Sequence, residues 1–195
     1  MRFLKIFSAL VLASVLLYSI CFAADGSVYK DVLRLHIIAD SDSEKAQETK
    51  LKVRDFILEN YSSQLAECKH REEAEAKARE LLSEIENAVN VFLADEADYT
   101  CRVTLDERYF PTKTYGEFSL PRGNYTALCI TLGKGEGRNF WCVLFPPLCL
   151  NVATNADTHE MFLDCGLTED EYLLMRTEKP VYKLKFRLLE LFGGE

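Results

Sequence analysis

Between Glu44 and Leu93 two apolar stripes of helical period follow one another with a short join at Cys68-Lys69-His70. Leu51, Val53, Ile57, Leu58, Tyr61 and Leu65 recur at spacings near three and four, which predicts a helix over 44–66. Ala74, Ala78, Leu81, Leu82, Ile85, Val89 and Phe92 predict a second over 72–93. So short a join forces the two to run antiparallel, face to face. Ser41 followed by Glu44 matches a capping box and marks the first helix start.

The period differs on either side of this hairpin. Val32 to Ala39 is rich in branched residues and reads as a strand with Leu33, Leu35 and Ile37 on its core face. His36 then faces solvent. Tyr99 to Phe110 alternates and stops at Pro111. Tyr115 to Leu120 reads as a short edge strand before the Pro121–Asn124 turn. Tyr125 to Leu132 and Phe140 to Phe145 flank the loop Gly133–Gly137, whose length suits an antiparallel hairpin. Asn151 to Asp170 is irregular or weakly helical, Glu169 to Arg176 suits a short helix, and the tail after Pro180 leans to a helix over a strand. The class is α+β: an N-terminal strand, an antiparallel helical hairpin, a mostly antiparallel sheet and a short C-terminal helix.

Arg2 and Lys5 precede an apolar run from Ile6 to Ala24, and acids begin only at Asp25. This layout predicts a secretory signal over 1–24, cleaved after Ala23 or Ala24, with an uncleaved anchor as the alternative. Residues 25–195 then form a single extracytoplasmic domain, about the usual size. Losing Arg2 and Lys5 moves the net charge from -8 to -10. An acidic domain does not neutralise phosphates, so nucleic acid and anionic lipid are not expected partners. Six cysteines remain in a compartment that permits disulfides. Cys142 and Cys149 are the first pair to test, because Pro146-Pro147 can turn the chain back between them; the other reading is that these cysteines pack as small hydrophobes.

Catalytic patterns fail on inspection. The glycines at 133, 135 and 137 lack the following helix that a phosphate site needs. Asp40-Ser41-Asp42 begins like a calcium loop, but Lys45 and Leu51 stand where glycine and glutamate are required. Cys68-Lys69-His70 is the nearest approach to a zinc pair, and the three histidines are scattered. No cofactor, metal or small-molecule substrate is expected.

Four blocks together resemble the bacterial stage II sporulation protein R family: Leu33 to Asp42, Lys50 to Asp55, Tyr115 to Leu128, and above all Gly133 to Cys149. Asp40 departs from the family's usual asparagine, and Phe140 from its frequent second tryptophan. The resemblance implies a signal made in the forespore and secreted into the space facing the mother cell. There it would activate a membrane-bound aspartic-type protease that processes the precursor of the early mother-cell sigma factor, sigma-E. The chain would not itself be an enzyme; an extracytoplasmic hydrolase acting on cell-wall material is the rival reading. Exposed aromatic and arginine side chains anchor such contacts. Arg138, Phe140 and Trp141 are the candidates, with burial of both aromatics in the core as the alternative for that pair.

Overall fold

The computed structural model describes residues 3, 6–8, 10–14, 31–115, 118–148 and 158–176. Cys149 and the chain after Arg176, including the C-terminal tail read as helix, lie outside them, as does most of the segment read as a secretory signal. Residues 10–14 are helical. Among the described residues no helix is long and apolar enough to cross a membrane.

The elements are β1 (Leu33–Ile38), α1 (Glu44–Ala66), α2 (Arg71–Leu93), β2 (Cys101–Phe110), β3 (Lys113–Tyr115), β4 (Phe118–Leu120), β5 (Gly123–Leu132), β6 (Asn139–Phe145), α3 (Thr158–Asp164) and α4 (Glu169–Arg176). The α+β class and the helical hairpin are as expected. Ser43, not Ser41, caps α1: its hydroxyl accepts from the Ala46 amide at 3.2 Å, while Ser41 bonds Ser43. Leu51, placed on the inner stripe from its spacing, is exposed.

β2, β5, β1 and β6 form one sheet in that order. β5 runs parallel to β1, and β6 runs antiparallel to it. The expected β5–β6 hairpin is therefore corrected. β1 lies between the two strands, and the glycine loop crosses over the end of β1 to reach its far side. The segment read as one edge strand is instead a separate two-stranded ribbon, β3 with β4.

Helices α1 and α2 cover one face of the sheet. Cys101 donates its thiol to the Glu86 carbonyl, and the Glu86 carboxylate accepts the Val103 amide at 2.7 Å. Leu33, Leu35 and Ile37 are fully buried on this side with Val53, Ile57, Ile85 and Val89. α3 and α4 pack on β4 through aromatic contacts: Phe118 stacks on Phe162 at 5.1 Å between ring centroids and meets Tyr172 at 5.8 Å.

The alternation on β1 predicts that Arg34 and His36 face water. Instead Arg34 is fully buried and His36 nearly so. A second layer covers that face. The Arg34 guanidinium lies 4.3 Å from the Phe110 ring centroid, 4.9 Å from Tyr125 and 5.6 Å from Tyr115. Its Nε donates to the Cys142 carbonyl at 2.9 Å, and an Nη donates to the Tyr115 hydroxyl at 2.6 Å. The Cys142 contact sits beside the β1–β6 bulge, where Leu33 pairs Phe145 but Arg34 pairs Val143. Aromatic faces attract a desolvated cation, which offsets the burial of a charge that has no carboxylate against it among these contacts. Burial still holds Arg34 below its ordinary value, opposed by the two tyrosines.

Truncating this residue empties the space between ribbon and sheet and removes both hydrogen bonds. Arg34→Ala is expected to cost about 3 kcal/mol and Tyr115→Phe about 1 kcal/mol in urea unfolding. Equal midpoints for native chain and Arg34→Ala would show that the guanidinium carries no packing role.

Candidate functional site

The glycine loop is fixed by the turn that follows β1. Gly133 donates its amide to the Thr100 carbonyl, Glu136 to the Asp40 carbonyl and Gly137 to the Ala39 carbonyl, at 2.9, 3.1 and 2.9 Å. The Asp40 carboxylate accepts the Lys134 amide at 2.9 Å, and the Asp42 carboxylate accepts the Arg138 amide at 2.8 Å. From α1, Lys50 donates its ammonium to the Arg138 carbonyl at 3.0 Å and to Gln47 at 2.6 Å. Burial lowers its affinity for a proton, as does nearby Arg138, with Asp42 opposing.

Two glycines are required by these contacts. Gly133 has φ +53°, and a Cβ there would stand 2.2 Å from the Asp40 carboxylate. A Cβ on Gly137 would stand 2.2 Å from the Ser41 carbonyl oxygen, which is backbone and cannot rotate away. The glycines therefore serve close packing of two loops. The Asp40–Asp42 acids, which look like a cation loop in sequence, hold backbone amides.

The loop presents Arg138 to solvent, its side chain 70% exposed beside Asp42 at 3.5 Å. An exposed pair of this kind contributes little to stability, so the guanidinium can be recruited elsewhere at small cost. Phe140 and Trp141 are half-buried and follow on β6. Adjacent strand residues point to opposite faces. Phe140 turns to the helices, where the Arg54 guanidinium lies 5.4 Å from its ring. Trp141 turns to the second layer, stacked 6.0 Å from His36 and with the Lys113 ammonium 4.2 Å from its ring. The three candidate anchors thus do not form one patch. Arg138, beside Asp42 and Lys50, and Phe140, under Arg54, lie toward α1, and Trp141 lies on the other side of the strand.

Around Trp141 the sheet buries several polar side-chain atoms. His36 Nε2 is 3.0 Å from the Asn139 side-chain oxygen. One Arg34 nitrogen, His36 Nδ1 and Trp141 Nε1 are buried and make no hydrogen bond. Burial lowers the His36 affinity for protons, and Arg108 and Arg34 add to this while Asn139 opposes. Cys142 is disulfide-bonded. Cys68, Cys101, Cys129 and Cys165 carry free thiols. The pairing with Cys149 lies outside the described residues. No cluster of three metal-ligating side chains occurs among the described residues.

Three of the four sequence blocks meet at one place. Asp42 holds the Arg138 amide, Lys50 holds its carbonyl, and Arg54 covers Phe140. A family profile described as Stage II sporulation protein R matches residues 29–155, which contains all of them. The chain belongs to the stage II sporulation protein R family. A curated relative of that name from Bacillus subtilis (strain 168) is 39% identical over 126 residues. That alignment covers 64% of this chain and 56% of the relative, so the chain spans little more than half of the relative's length. No solved structure matches. Family membership carries a sporulation role. Arg34 and the Asp40–Asp42 clamp escaped sequence reasoning as parts of the site. The only signal for them was their place inside the first matching block.

Two outcomes check this geometry. Gly137→Ala should cost about 2 kcal/mol or more in urea unfolding, because backbone must move. Gly133→Ala should cost about 1–2 kcal/mol for its left-handed conformation. Equal stability of the Gly137 variant and the native chain would mean that the loops are not in contact. His36 supplies a pH test. An unfolded histidine titrates near 6.5 and the folded one lower. Acid below about pH 6.5 therefore protonates the unfolded chain first, and stability present above that value is lost as pH falls toward the folded value. His36→Gln should remove this component of the drop in unfolding midpoint between about pH 7.5 and 5.5; an unchanged profile would contradict a buried neutral imidazole.

Proposed function

We propose that this family member is a secreted signal of endospore formation, acting outside the cytoplasm without catalysis of its own. It docks to a membrane-embedded aspartic-type protease and favours the state that cleaves the sigma-E precursor. A ligand shifts such an equilibrium only by binding one state more tightly than the other. A rigid presenting element suits that task, since little ordering is left to be done on binding. Support comes from the family membership together with one observation: three of the four blocks of the resemblance converge on the clamped loop that displays Arg138.

Arg138 is the first residue to test, because its side chain is solvated and its removal should leave stability within about 0.5 kcal/mol. Trp141 lies against His36 and is better probed separately, by Trp141→Phe. The chain, the protease and the sigma-factor precursor would be co-expressed in a non-sporulating host, and precursor cleavage followed by immunoblot. Cleavage is expected only with all three present, and Arg138→Ala should slow it by about tenfold, the loss of one interface anchor. Intact precursor with all three proteins present would refute the signalling role. Full-rate cleavage with Arg138→Ala would remove the loop from the docking surface while leaving the role intact.

A further inference from the structure

Cys68 and Cys165 carry free thiols although each faces the same space. Cys68 follows α1, and Cys165 follows α3. Both line one pocket of about 640 Å³ between the α1–α2 turn and the end of α3, with Glu67, Lys69, Glu160 and Asp164. The walls touch beside the cysteines. Gly166, at φ +84°, packs so closely that a Cβ there would stand 2.8 Å from His70 Nδ1 and 3.6 Å from the Lys69 carbonyl oxygen. The Gly166 amide donates to the Leu163 carbonyl at 3.0 Å and the Leu167 amide to the Phe162 carbonyl at 3.1 Å. This is the paired closure of a helix end through a left-handed glycine, and it sets the position of Cys165. A bridge asks for Cα atoms about 4.4–6.8 Å apart. The residue next to Cys165, Gly166, packs too close to Lys69 and His70, which follow Cys68, to leave room for a side chain.

We propose that Cys68 and Cys165 are a disulfide-forming pair, reduced in this structure, which closes in an oxidising compartment and ties α3 to the turn of the helical hairpin. This goes beyond the signalling role and does not depend on it. The oxidant is a disulfide, either of low molecular weight or carried by a protein. Cys68 is the more exposed and reacts first: its thiolate attacks one sulfur and expels the other as a thiol, leaving a mixed disulfide. Cys165 then loses its proton, displaces the second half of the oxidant and forms the Cys68–Cys165 bond. Two electrons and two protons pass from the pair to the oxidant, which leaves as two thiols.

The surroundings fit a lasting tie better than a shuttling redox couple. Burial raises the Cys68 thiol, with Glu73 and Glu67 adding and Lys77 opposing. Burial, Asp164 and Cys68 itself raise Cys165 to about 11. High-pKa thiols supply little thiolate and are poor leaving groups. The bond should form slowly, faster at higher pH, and resist reduction once made. It would close a loop that holds α2, the strands β2 to β6 and α3, and long loops lose the most unfolded-state freedom on cross-linking.

The test treats the full purified chain with oxidised glutathione at about pH 8, blocks remaining thiols by alkylation and maps tryptic peptides by mass. The expected result is a linked peptide holding Cys68 and Cys165, with Cys101 and Cys129 still alkylated after unfolding. The oxidised native chain should melt about 10 °C above oxidised Cys68→Ser. Cys165→Ser should match Cys68→Ser, and the double variant should melt no lower than either. Recovery of both cysteines as alkylated or glutathione-capped peptides would overturn the proposal. So would a linked peptide without any gain in melting temperature, because the bond would then tie nothing that unfolding must separate.

Discussion

β1 has a strand on each side and a packed layer on each face, so none of its surfaces is left to water. Six residues (Leu33–Ile38) are therefore asked to satisfy two hydrogen-bonded edges, a helical layer and an aromatic layer at once. Leu33, Leu35 and Ile37 meet the helices as ordinary core residues. Arg34 and His36 meet the other layer, and there the chain buries polar groups. A buried charge must find partners that act in the absence of water. Phe110, Tyr115 and Tyr125 supply ring faces, and Tyr115 with the Cys142 carbonyl supplies acceptors. The β3–β4 ribbon is docked through that arginine, and α3 and α4 are docked in turn on the ribbon.

What could be read from the chain was local in origin. Both long helices follow from a 3.6-residue period, and strands β2 and β5 from a two-residue period, because each element's own side chains record which face is buried. Strand order is a relation between distant segments and leaves no such record. Gly133–Gly137 has the length of a hairpin loop and the composition of one. Nothing in those residues says that another strand lies between Leu132 and Asn139. Arg34 fails for a related reason: polar residues at alternate positions ordinarily mark a wet face. The tyrosines that dry this face come from β3 and β5, far along the chain. The candidate anchors were legible as a string and not as a surface, since Phe140 and Trp141 are neighbours in sequence and lie on opposite sides of a strand.

The family blocks gain a physical meaning from this arrangement. The first supplies the β1 strand and the acids after it, the second supplies Lys50 and Arg54, and the last supplies the loop they grip. Each alone is a short run of unremarkable residues. Together they form one packed and hydrogen-bonded unit, with Gly137 against the Ser41 carbonyl as its tightest point. A contact made through this region would meet the stiffness of that unit and the exposed Arg138 at its rim.

The central place of β1 also sets an order of events during synthesis. The strand is made early, but Arg34 meets Ala127 on one side and Val143 on the other. Such contacts between distant segments slow folding, because chain entropy is lost before the contacts reward it. Until β5 and β6 have been made, the growing chain carries an apolar strand with both edges open, a template for pairing with other chains. Any shortened form that ends before Asn139 would keep that edge permanently. The integrity of the protein is thus decided near the end of its sheet, by the last strand to be added.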